Sequence, residues 1–169
     1  MNPTRRRIAA SLSALLLVPP GRSLALQPPA GKVVLTLSGR ISQTNREGRA
    51  EFDMSMLEQL PQHSFVTQTP WYSQPRKFTG PLLREVLAAA GAQGNTLRAI
   101  ALNDYKVTLP VEDTQRHDVL LARLLDDQPM AVRDKGPLFI VYPFDAKSEL
   151  RNALYYSRSA WQLKSIEVL

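Results

Sequence analysis

Short alternating and apolar runs, broken by polar turns, set the pattern of this chain. Lys32 to Ser38 (KVVLTLS) alternates and predicts a strand that Gly39 ends. Residues 42–49 are polar and turn-like. Asp53 stands where it caps a short helix over Met54 to Leu60, and Pro61 stops that helix. Ser64 to Thr69 (SFVTQT) alternates again and predicts a strand, followed by a loop at Pro70-Trp71-Tyr72. The stretch KFTGPLLREVLAAAGAQG, 77–94, carries the clearest helical period. Leu82, Leu83, Val86, Leu87 and Ala90 fall on one face, Pro81 suits the first helical position, and Gly91 suits the C-terminal cap. Thr96 to Leu102 and Tyr105 to Leu109 predict two more strands, and Val111 to His117 a short helix or turn.

Val119 to Leu125 fits a helix or a buried strand. The turn signal Asp126-Asp127-Gln128-Pro129 and the β-rich run Pro137 to Pro143 favour a strand that forms one arm of a hairpin. Glu149 to Tyr156 reads as a short helix and Trp161 to Val168 as the last strand. Strands outnumber helices, and no repeat or linker divides the chain. The pattern predicts one α+β domain over residues 26–169, with a mostly β core and short helices. An apolar share of 44% and a charged share of 21% in 169 residues agree with a globular protein large enough for a proper core.

The first 25 residues read differently. Arg5, Arg6 and Arg7 precede an apolar run from Ile8 to Val18, which at about ten residues is too short to span a bilayer. Ser23-Leu24-Ala25 places small residues where a signal peptidase reads. The expectation is a secretory signal cleaved after Ala25, and therefore a periplasmic protein. Thr4-Arg5-Arg6-Arg7-Ile8 also resembles a twin-arginine signal. It lacks the usual aromatic and lysine, so the general pathway is the preferred export route.

Cleavage changes the charge argument. The chain is +6, but residues 1–25 hold four arginines and no acid, which leaves +2. No basic run follows Ala25, which argues against a nucleic-acid partner. The absence of cysteine removes disulfides, thiolate metal ligands and cysteine nucleophiles. The two histidines, His63 and His117, show no paired ligand spacing and read as surface or loop residues.

Three polar islands interrupt the apolar pattern: Trp71-Tyr72, Asn103-Asp104-Tyr105, and a third split between Arg133-Asp134-Lys135-Gly136 and Tyr155-Tyr156-Ser157-Arg158, with Trp161 behind it. Loops at strand ends are where binding groups usually sit. These types suit a flat polar heterocycle. Trp71 offers a stacking face, Arg133 or Arg158 a second face or a cation, Asp104 a paired acceptor, and Asn103 both donor and acceptor. Each has a plainer reading. Trp71 also fits the core, Asn103-Asp104 a simple turn, 133–136 a solvated hairpin loop, and the tyrosines packing. No nucleophile and base stand together, so no catalytic set emerges.

FTGPLLREVLAAAGA, ALNDYKVTLPVED, LLARLLDDQPMAVRDKGPLFIVYPFD and LRNALYYSRSAWQLKSIEV, taken in that order, resemble the oxidoreductase molybdopterin-binding domain, the sulfite-oxidase fold. The resemblance runs from about Lys32 to the C-terminus and is nearest to small secreted members. Enzymes of the family ligate molybdenum through a cysteine thiolate in a loop where this chain has VTQTPW, so Thr67, Thr69 and Trp71 stand in its place. A soft thiolate is what that metal chemistry uses. The resemblance therefore implies a cysteine-free pterin-binding sensor without molybdenum. Such a sensor binds a reduced pterin and contacts the periplasmic domain of an inner-membrane diguanylate cyclase/phosphodiesterase, changing cyclic-di-GMP output and biofilm formation. The alternative is a molybdopterin-dependent oxidoreductase with an atypical metal site. The resemblance implies a site built from Trp71, Asn103, Asp104, Tyr105, Arg133, Ser157 and Arg158.

Overall fold

A computed structural model describes residues 26–169; the expected signal segment, residues 1–25, lies outside the described residues. The described residues begin with β1 (Val33–Gly39) and β2 (Ala50–Asp53), followed by α1 (Met54–Gln59) and β3 (His63–Thr67). Then come β4 (Arg76–Gly80), α2 (Leu83–Ala89), β5 (Thr96–Ala101), β6 (Lys106–Pro110) and α3 (Val111–Arg116). The last third holds β7 (Leu120–Ala122), β8 (Leu124–Leu125), β9 (Gln128–Pro129), β10 (Phe139–Val141), α4 (Ala153–Arg158) and β11 (Leu163–Val168). Short 3-10 turns sit at Val132–Asp134 and Ser148–Leu150.

Among the described residues the strands form three sheets. The largest has the order β2-β1-β11-β5-β6, the second β3-β4-β8-β9, and the third pairs β10 with β7. The β1–β11 pair is parallel, with Thr36 opposite Ser165, so the last strand inserts beside the first. Pairing with β5 on its other side is antiparallel. Alternation explains β5: Leu97, Ala99 and Ala101 point into the core, and Thr96, Arg98 and Ile100 point away. The architecture is mixed α and β with a sheet-rich core, as the pattern predicts. Among the described residues no helix is long and apolar enough to cross a membrane.

One hydrophobic cluster joins the sheets and helices, and Phe52, Phe78, Phe139, Tyr142 and Phe144 are its largest fully buried side chains. Burying a phenylalanine of this kind contributes about 1.5–3 kcal/mol. Asp53 caps α1 by accepting from Met56 N at 2.9 Å, and that bond with the one from Gly31 N at 2.7 Å holds its carboxyl below the usual range.

Several expectations are corrected here. The helix of 77–94 is shorter: Lys77 to Gly80 belong to β4, which pairs with β3 on one side and β8 on the other. Pro81 is not the first helical residue. Its carbonyl instead accepts from Leu121 N at 2.9 Å, and the helix starts at Leu83 with Glu85 reaching back to Leu82 N. Residues 119–125 are not one arm. They divide at Arg123: β7 pairs with β10, while β8 makes a hairpin with β9 through Asp126 and Asp127, both at positive φ. The single helix over Glu149 to Tyr156 is two pieces, because Asn152 Oδ1 accepts from Leu154 N and Tyr155 N and starts α4 afresh. His117 is not a surface residue; it is 5% exposed.

Candidate binding cavity

Three chain segments converge on one open cavity of about 470 Å³, within the usual size range of small-molecule sites. The first segment follows β3. Gln68 N donates to Asp145 Oδ2 at 2.8 Å and Asp145 N donates to Thr67 Oγ1 at 3.0 Å, which clamps the loop to the segment after β10. Trp71 is thereby held half-buried. Its ring lies 5.5 Å from Phe139 and 5.4 Å from Trp161, both edge-on, with Tyr156 at 6.1 Å and Phe144 at 6.2 Å. The indole is both packed against other rings and part of the cavity wall.

The second segment is the turn between β5 and β6. Asn103 Oδ1 accepts from Tyr105 N at 3.2 Å, and Asp104 sits at φ 64°, where Asn and Asp are tolerated best among non-glycine residues. This turn aims Asn103 and Tyr105 at the cavity and Asp104 away from it. Asp104 Oδ1 accepts from Lys164 Nζ at 2.6 Å, and that bond holds its carboxyl below the usual range. Tyr105 is 59% exposed and stands at the rim.

The third segment is the end of α4 and the turn after it. Tyr156, Ser157, Ser159, Ala160 and Trp161 line the cavity from here. Ile140 N donates to Ala160 O at 2.8 Å, which ties this turn to β10. Ser157 Oγ donates to Leu154 O at 2.7 Å and Ser159 Oγ to Tyr155 O at 3.2 Å.

Of the seven residues expected in the site, four line this cavity: Trp71, Asn103, Tyr105 and Ser157. The other three lie outside its lining. Asp104 is bound to Lys164, Arg133 is an 87% exposed side chain beside Asp134, and Arg158 points inward to Asp113 at 2.8 Å. Tyr156 and Trp161 complete the wall. The aromatic run at 155–156 and the lone Trp161 mark them in the sequence. Of the third polar island, Lys135 and Trp161 meet: Lys135 Nζ sits 4.8 Å from the Trp161 ring centre, and Gln162 N donates to Lys135 O at 2.9 Å, whereas Arg158 is turned to Asp113.

The cavity is therefore aromatic on its walls, with amide and hydroxyl groups at its edge and no charged side chain in its lining. Asn103 Oδ1 is already engaged, which leaves the two amide hydrogens for a carbonyl oxygen or ring nitrogen. An arrangement of this kind can stack a flat ring and offer hydrogen bonds along one edge of it.

A thiolate-held molybdenum does not fit the donors present. Thr67 and Thr69 are 1% and 3% exposed and do not line the cavity, Thr67 Oγ1 is taken by Asp145 N, and the loop residue that does line it, Trp71, carries an indole. The soft sulfur donor has no substitute in this set. Among the described residues no three of His, Asp and Glu gather in a metal-binding group.

Behind α4 lies a buried polar cluster. Asp113 Oδ2 accepts from Tyr142 OH and from Arg158 Nη1, each at 2.8 Å. Burial first, and the Asp113 carboxylate second, push the Tyr142 phenol well above its ordinary range. His117 is drawn below its ordinary value, mainly by burial. No protein-family model matches the chain, and no curated protein sequence matches it.

Proposed function

We propose that the chain is an exported, non-catalytic pterin-binding protein of the sulfite-oxidase fold, relaying pterin levels to an inner-membrane diguanylate cyclase/phosphodiesterase. The observation that carries the reading is the cavity wall. Trp71, Trp161 and Tyr156 offer ring faces and edges, Tyr105 closes the rim, and Asn103 supplies donors at the edge. A pterin presents a flat bicycle with an amino-pyrimidinone edge, which suits such a wall. Stacking supplies affinity, and the amide supplies orientation. Ser157 and Ser159 spend their hydroxyl protons on backbone carbonyls, so each meets a ligand as an acceptor.

A sensor needs its ligand to favour one state of the protein or of its complex. The reading places that choice in the walls around the cavity and assigns no chemical step to any residue. It is tested on the protein purified from a periplasm. The sample is extracted with acid, pterin is sought by fluorescence and mass, and molybdenum is assayed on the same material. A pterin without molybdenum is the expected result. Molybdenum with a nucleotide-bearing pyranopterin overturns the reading in favour of an oxidoreductase. Neither, together with no shift in melting temperature on adding pterins, overturns it in favour of a scaffold, because a true ligand raises the melting temperature by mass action.

A further inference from the structure

The polar cluster between α3 and α4 touches the cavity only through the helix it holds. His117 follows α3, and its backbone N–H donates to Asp113 O at 3.0 Å. Its ring stands edge-on to Tyr155 of α4, with centres 5.6 Å apart at 87°, and 6.5 Å from the buried ring of Tyr142. Nδ1 of that ring is buried without a hydrogen-bond partner among the described residues. Arg158, at the far end of α4, reaches Asp113 and also lies 5.4 Å from the Tyr155 ring centre. Tyr155 and Arg158 thus pin α4, and the two residues between them, Tyr156 and Ser157, form one side of the cavity.

We propose that this cluster is an acid-sensitive support for the cavity wall, with His117 as the group that titrates. Neutral, the ring packs α4 against α3. Protonated, it drives α4 outward and weakens the hold on the ligand. The ligand part of this inference rests on the pterin reading above, whereas the movement of α4 does not.

The physical chain is short. An imidazolium with an unpartnered nitrogen, buried to 5% exposure, is costly, so protonation is met by exposing the ring. The charged groups that face it do not rescue it. Asp113 and Glu149 favour its charge and Lys147 and Arg116 oppose it, while burial is the largest influence and also opposes it. Asp113 Oδ2 already serves two donors. What yields is the least packed neighbour. α4 has six residues, none of them buried, whereas α2 buries Leu83, Val86 and Leu87. Histidine is the side chain suited to this task at ordinary pH.

The test is amide hydrogen exchange on the ligand-free protein, expressed as protection factors so that the intrinsic pH effect cancels. Between about pH 7.5 and about pH 5.5, protection across 153–158 falls about tenfold or more relative to α2, and the fall is absent in His117→Phe. The affinity for dihydrobiopterin, used as the probe, falls over the same range in the wild type alone. Unchanged protection in α4, or an equal fall in His117→Phe, overturns the proposal. Should dihydrobiopterin fail to bind at neutral pH while α4 still loosens in acid, the support stands and the pterin reading falls. If His117→Phe does not fold, the wild type decides through the ring-proton NMR titration of His117, assigned with His63→Gln. A midpoint that coincides with the loosening of α4 supports the proposal, and a ring still neutral when α4 has loosened sinks it.

Discussion

Arg158 Nη1 lies 2.8 Å from Asp113 Oδ2, with side chains only 20% and 8% exposed, so the last residue of α4 is fastened to the middle of α3 through a shielded ion pair. Tyr142 OH donates to the same oxygen. Removing one partner of such a pair leaves a charge stranded inside the protein. Asp113→Ala is expected to cost about 3 kcal/mol of unfolding free energy. Tyr142→Phe removes a donor and leaves the ion pair, and is expected to cost about 1 kcal/mol. Urea denaturation of the two variants checks both values, and equal losses would show that the Tyr142 hydrogen bond, not the ion pair, carries the stability.

Neighbours in sequence part company at the cavity. Asn103 faces it, and Asp104, the next residue, is turned to Lys164. Asn103→Ala is therefore expected to weaken pterin binding about tenfold, or about 1.4 kcal/mol, while Asp104→Ala leaves it unchanged. Fluorescence titration of both variants separates the two positions. The reverse order would mean that the pyrimidine edge is read by the carboxylate, and that the turn rearranges on binding.

The helix α2 shows what the pattern carried and where it stopped. Leu82, Leu83, Val86, Leu87 and Ala90 all turn out buried, so the apolar face was legible from period alone. Its start was not. Phe78 continues the apolar look of the stretch, but it belongs to β4 and is buried because β3 and β8 flank it. Period within a segment cannot report partners that come from residues 63–67 and 124–125. His117 failed for a related reason. It sits between Arg116 and Asp118, both exposed, and only the extended backbone that ends α3 turns its ring inward. β2 is four buried residues, too short for alternation to show. Asn152 is a capping residue type, and its cap role is legible in the sequence. At the cavity, the polar islands and the family resemblance together pointed to Trp71, Asn103, Tyr105 and Ser157, which line it. The directions of Asp104, Arg133 and Arg158 depend on Lys164, Asp134 and Asp113, and only the fold supplies those partners.

Phe139 connects the core to the cavity. It is fully buried, with its ring 5.8 Å from Phe78, 5.5 Å from Trp71 and 6.1 Å from Trp161. Phe139→Ala is expected to cost about 3–5 kcal/mol, through lost burial and the void left behind. Both indoles lose their shared neighbour, so their fluorescence is expected to shift to longer wavelength in the folded variant. An unshifted spectrum would show that the wall is held by other contacts.

Gly80 ends β4 where the backbone of β7 passes close by: a side chain there would run into Leu121 O. Gly80→Ala is expected to cost about 1–3 kcal/mol, as overpacking does, with thermal melting as the readout. Gly48→Ala is the contrast. Open space surrounds it, and the cost there comes from its positive φ alone.

Acid should destabilise the whole protein through His117. Its folded form resists protonation because burial lowers its affinity for a proton. In the unfolded chain the ring titrates near the ordinary value of about 6.5. Below that pH the unfolded state therefore binds more protons than the folded one, so stability falls as pH falls and rises as pH rises. The fall begins near pH 6.5 and levels off once the folded ring also titrates. It is added to the later loss from carboxylates such as Asp53 and Asp126, whose folded forms hold their charge below the usual range. Urea midpoints between about pH 7.5 and about pH 5 measure the slope. His117→Phe is expected to flatten it over that range. A slope that survives His117→Phe would assign the acid sensitivity to the carboxylates instead.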